Sequence, residues 1–104
     1  MIRHCVFLNF RPDVPATVRE AIFADIAALK LRVPGLLSVR AGANVSPEGL
    51  DKGFHEGFIV DFVDGDARDR YLADEAHAAV GGRIVEAAQG GLDGVFVFDL
   101  EIAD

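Results

Sequence analysis

The stretch "IRHCVFLNF" (residues 2–10) decides the fold. Its side chains alternate, with Ile2, His4, Val6, Leu8 and Phe10 on one face and Arg3, Cys5, Phe7 and Asn9 on the other, the period of a β-strand. Both faces are largely apolar, so the sheet that contains this strand needs cover on two sides. "FHEGFIVDFV" (54–63) repeats the pattern: Phe54, Glu56, Phe58, Val60 and Phe62 share one face, while Ile59 and Val63 take the other. "LLSVRAGAN" (36–44) alternates more weakly through Leu37, Val39, Ala41 and Ala43, and "LDGVFVFDLEI" (92–102) reads as the last strand.

After "RPDVP" breaks the first strand, Val18, Ile22, Ile26, Leu29 and Val33 recur at helical spacing and stop at "PG" (34–35), predicting an amphipathic helix. "VSPEGLDKG" (45–53) reads as a loop. The segment 64–91 reads as helical in two pieces, with Asp66 as N-cap and Gly81 with Gly82 as the weak point. The order strand, helix, strand, strand, helix, strand predicts a ferredoxin-like βαββαβ α+β fold, a single domain over 1–104 with helices on one face of an antiparallel sheet. The other face would expose Phe7, Ile59, Val63, Phe96, Phe98 and Leu100. A second copy laid sheet to sheet would cover it, giving a homodimeric α+β barrel.

Composition narrows the function. The 104 residues are 51% hydrophobic and 26% charged, which is globular composition. With 17 acidic against 10 basic side chains the net charge is −7, so the phosphate-neutralising attraction that nucleic-acid binding needs is missing. Cys5 is the single cysteine and cannot form an internal disulfide; mid-strand, it reads as a buried apolar residue. No apolar run reaches membrane-spanning length and no signal segment is legible, so the expectation is a cytoplasmic protein without a membrane partner. His55 and Glu56 point to opposite faces of one strand and cannot chelate together, and the acidic loop 42–53 lacks a phosphate cradle. Neither a metal nor a nucleotide cofactor is indicated.

Four pieces in order, "HCVFLNF", "PGLLSVRAGANVSPEGLDKGF", "YLADEAHAAV" and "VFVFDLE", resemble the stress-responsive α/β barrel (Dabb) domain family over essentially the whole chain. The resemblance implies a dimeric ferredoxin-like fold and little about activity, because most members have no known reaction. The chain also resembles, at low identity, the plant polyketide cyclase of that family that makes olivetolic acid. There a histidine base assisted by an aspartate works with a tyrosine that holds the substrate carbonyl, without a metal. By motif position these match His77, Asp99 and Tyr71, and a further histidine matches His4. Asp74 and Glu75 stand where that cyclase has histidine and proline, Glu56 where it has histidine, and Phe58 in place of a cavity-wall valine.

The residues themselves point to the same group. Asp99 lies in an apolar strand in phase with Val95 and Val97, where a carboxylate needs a donor. The resemblance places that run on the helix-facing side with His4, Val6 and Leu8. His77 on the covering helix is then expected to bond Asp99, and Tyr71 to turn its hydroxyl into the same space. The expected ligand cavity is walled by Val6, Leu8, Ile22, Phe23, Ile26, Phe58, Val60, Val95 and Val97, with His4 beside the catalytic candidates His77, Tyr71 and Asp99. A histidine and an aspartate that merely satisfy each other in a core would leave the same sequence pattern. Three functions stay open: cofactor-free acid–base chemistry on a carbonyl compound, a non-catalytic binding or stress-protective dimer, and a cofactor-independent oxygenase. "DGDARDRYLADE" (64–75) reads as a solvated helix face.

Overall fold

In a computed structural model that describes residues 1–103, the alternating segments become strands β1 (Ile2–Leu8), β2 (Leu36–Ala43), β3 (Glu56–Phe62) and β4 (Val95–Glu101). Among the described residues they form one antiparallel sheet in the order β2-β3-β1-β4. Helix α1 (Ala16–Ala28) joins β1 to β2, and α2 (Gly65–Ala73) with α3 (Glu75–Ala87) joins β3 to β4. This is the ferredoxin-like α+β fold, and its helices cover one face of the sheet. The strand richest in apolar side chains on both faces is central: β1 pairs with β3 on one side and β4 on the other.

Register follows parity. On the helix-facing side Val39, Val60, His4 and Asp99 form one row across the four strands, and Val6 lies between Phe58 and Val97 in the next. Ile22 and Ile26 of α1, then Leu29 and Val33 beyond it, are buried against Leu8, Phe58, Val60 and Phe62 in one core cluster. The helical stripe starts a turn later than its spacing suggests, for Val18 is 41% exposed while Val14, from the turn before the helix, is buried. In β2 a bulge between Leu36 and Ser38 shifts the alternation, so Leu36 faces the core and Leu37 is exposed.

The helical region 64–91 breaks elsewhere than expected. Asp64, not Asp66, caps α2, its Oδ1 accepting from the Ala67 N–H at 2.9 Å. Asp74 is extended and caps α3 by accepting from the Ala76 N–H at 2.8 Å, whereas Gly81 and Gly82 lie inside that helix. A carboxylate that satisfies free N–H groups outweighs the modest helix penalty of glycine.

The face away from the helices carries the aromatic cluster of Phe7, Phe96 and Phe98, with ring centroids 5.6–6.2 Å apart. Phe54 departs from its expected phase: it precedes β3 and its ring meets Phe96 at 5.8 Å on this open side. Gly57 lies opposite Phe7 because a Cβ there would come 2.7 Å from the Val6 carbonyl and 2.9 Å from the Phe7 ring. An ion pair lies on this side. Arg3 donates to both oxygens of its cross-strand neighbour Asp61 at 2.8 and 3.0 Å, which holds that carboxyl below its ordinary value against the opposing effect of burial.

The position of the break is testable by urea unfolding. A cavity at the centre makes Ile22→Ala destabilising by about 2–5 kcal/mol. Gly82→Ala should stabilise by up to about 1 kcal/mol because the glycine is mid-helix with open space around it. Asp74→Ala should cost about 1 kcal/mol. Destabilisation by Gly82→Ala together with no loss in Asp74→Ala would instead place the break at the glycines.

Candidate functional site

Capping decides where the site's side chains lie. With α2 started by Asp64, Arg68 and Tyr71 fall one turn apart on the same side of that helix. Asp74 then ends α2 and starts α3, which brings His77 back over Tyr71. The two rings are 4.4 Å apart, and Tyr71 also meets Phe62 at 5.1 Å and His4 at 5.7 Å. Tyr71 is 0% exposed. Among the described residues, neither its Oη nor His77 Nδ1 makes a hydrogen bond, although both atoms are buried. Most buried polar side-chain atoms are bonded, and leaving one unbonded costs about 1–3 kcal/mol.

The electrostatics separate the groups. Burial pushes the Tyr71 hydroxyl up, so it stays a protonated donor. Burial also pushes His77 down, helped by the nearby His4 ring and opposed by the Leu72 backbone and the Asp74 carboxylate, so its neutral form is favoured. Burial acts to raise Asp99, but hydrogen bonds from Arg68 and His4 outweigh it and hold the carboxyl below its ordinary value. The Cys5 thiol is buried and raised mainly for that reason.

The expected bond between His77 and Asp99 is not made. Strand register sets Asp99 directly beside His4, and His4 Nδ1 lies 2.7 Å from Asp99 Oδ1. The second carboxylate oxygen accepts from Arg68 Nη1 at 2.8 Å. Arg68 belongs to the helix stretch that reads as plainly solvated, and the single available signal was its place one turn before Tyr71. The structure therefore gathers His4, Tyr71 and His77 around one point, with Asp99 behind His4.

Val6, Leu8, Ile22, Ile26, Phe58 and Val60 are buried in the shared core, with Phe23 and Val95 partly buried against it. Val97, at 53% exposure on the edge strand, lies at its margin. A groove of about 540 Å³ lies on the opposite side, lined by Phe7, Phe54, Ile59 and Phe96 among others. His55 contacts Asp51 at 3.2 Å and Glu56 pairs with Arg19 at 3.1 Å, so neither joins the central group. No helix among the described residues is long and apolar enough to cross a membrane.

Known structures share this backbone. A dimeric ferredoxin-like protein of unknown function from Jannaschia sp. CCS1 is 30% identical, with a TM-score of 0.90 over 97% of this chain and 98% of that one. The hydroxynitrile lyase of Passiflora edulis is 17% identical, with a TM-score of 0.85 over 99% of this chain and 94% of its own. SnoaB, a cofactor-independent oxygenase of Streptomyces nogalater, is 18% identical, with a TM-score of 0.75 over 99% of this chain and 93% of its own. At those two identities the likeness is one of fold. No curated protein matches the sequence. The family description that matches residues 2–102 is the stress responsive A/B barrel domain, Dabb, and to that family this chain belongs.

Proposed function

We propose that the protein is a cytoplasmic homodimer whose subunits each bind a small, largely apolar carbonyl compound and transfer a proton on it without a cofactor. The observation that carries this reading is the adjacent pair of buried, unbonded polar atoms, Tyr71 Oη and His77 Nδ1, on rings 4.4 Å apart. A protonated hydroxyl and a neutral imidazole at one apolar point are a donor for a carbonyl oxygen and a base for the carbon beside it. His77 takes the α-proton, the C–H electron pair moves into the enolate, and the Tyr71 O–H holds the developing oxyanion. The imidazolium then returns the proton to carbon. Val6, Leu8, Phe23, Phe58, Val60, Val95 and Val97 are the apolar surround, and ligand enters past Val97 on the edge strand. Dimerisation covers the exposed aromatic face, as the dimeric state named for the Jannaschia protein supports.

The test is α-proton exchange in D₂O on a panel of aryl and alkyl β-diketones, followed by proton NMR with dissolved oxygen recorded alongside. His77→Ala should slow exchange by about 10²–10⁴-fold and Tyr71→Phe by about 10²–10³-fold. Melting temperature should hardly move in His77→Ala, because Asp99 keeps both of its partners. Exchange that survives both substitutions would end the acid–base reading, and oxygen uptake with substrate would replace it with the oxygenase.

The pH dependence has a definite sign. Folding lowers His77 below the ordinary imidazole value of 6.5, so kcat/KM should persist on acidification through that pH and fall only below it. An acid limb at or above 6.5 would remove His77 as the base. The unfolded chain takes up the proton first, so the same shift lowers folding stability as pH drops below about 6.5.

A further inference from the structure

We infer that Arg68 is a positioning residue of this site, which by gripping Asp99 holds His4 as its Nδ1–H tautomer beside Tyr71. Asp99 stands on the edge strand with a quarter of its side chain exposed, 24%, so a carboxylate held at one oxygen would be free to swing toward water. Here both oxygens are occupied: Oδ1 by His4 Nδ1 at 2.7 Å and Oδ2 by Arg68 Nη1 at 2.8 Å. Arg68 is itself steadied, its Nε donating to Asp69 at 2.9 Å. An ionised carboxylate only accepts, so the short contact requires the proton on Nδ1 and leaves Nε2 as the nitrogen with no hydrogen bond among the described residues. The hold is geometric as well as electrostatic, because α2 carries Arg68 and Tyr71 one turn apart. One helix thus places the Tyr71 hydroxyl and, through Asp99, fixes the His4 ring, whose centroid lies 5.7 Å from that of the Tyr71 ring. The site has two histidines of different standing: His77, unbonded at Nδ1, and His4, anchored through a carboxylate to a guanidinium.

The structural part stands on these contacts, and its catalytic consequence, exerted through the His4 ring packed edge-on against Tyr71, rests on the acid–base reading above. The experiment is ¹⁵N NMR of histidine-labelled protein, with His4 assigned by comparison with His55→Gln and His77→Gln. Wild type should show His4 as a single Nδ1–H tautomer. Arg68→Ala should give a tautomer mixture, and Arg68→Lys should restore the single form in whole or large part. On the β-diketone panel Arg68→Ala should lower kcat roughly 10- to 100-fold with KM nearly unchanged, the loss typical of removing a group that orients a functional one. A His4 signature unchanged in Arg68→Ala overturns the inference, whatever the activity. If His4 responds as expected but wild type exchanges no α-proton, the proposed reaction fails while the positioning of His4 by Arg68 holds.

Discussion

The register of β1 against β4 is the constraint on which the site depends. Because His4 is the direct partner of Asp99, the carboxylate meets an imidazole across one strand-to-strand spacing rather than across the sheet-to-helix gap. A slip of β1 by one residue would send His4 to the aromatic face, part it from Asp99 and bring Cys5 under the helices. Such a slip is resisted on both sides at once. Val6, Leu8, Val60 and Phe62 are needed in the core, and Phe7 needs Gly57 opposite it to lie flat.

Around that register the site separates charge from neutrality. Arg68 and Asp99 are bonded at the margin of the sheet, where partial exposure lessens the desolvation of the ions, and Asp99 joins them to the buried His4. Tyr71 is wholly buried beside Phe62 with the half-buried His77 ring over it, and burial favours the uncharged form of each. The dividing element is the short path from α2 to α3. Asp74 ends one helix and begins the next, so that Tyr71 and His77 belong to different helices and still place their rings in contact.

The opposite face of the same sheet follows a different logic. Phe96, Phe98, Leu100 and Val63 remain substantially exposed there, and Arg3 and Asp61 beside them are paired with each other. A largely apolar surface of this kind is suited to meeting another apolar surface. In this fold the helix-facing and open faces are therefore chemically independent, which lets one hold a polar site while the other is free for association.

Much of this was legible in the chain. Period-two alternation with two apolar faces placed β1 and β3 in a sheet needing cover on both sides, and helical spacing placed Ile22, Ile26, Leu29 and Val33 in the core, since burial of apolar area is decided by periodicity. The motif pieces brought His4, Tyr71, His77 and Asp99 to attention together. What periodicity does not encode is competition among partners. Asp74 caps a helix because free N–H groups await it, and glycines that look like a break are carried through. Asp99 bonds His4 and Arg68 rather than His77 because register and helix phase bring those two within 3 Å, a relation between residues 31 and 95 positions apart. Residue type and spacing determined the fold and the company of polar groups; only the tertiary structure decided which of them are bonded and which are left buried and open, because hydrogen bonds depend on distances that no local pattern records.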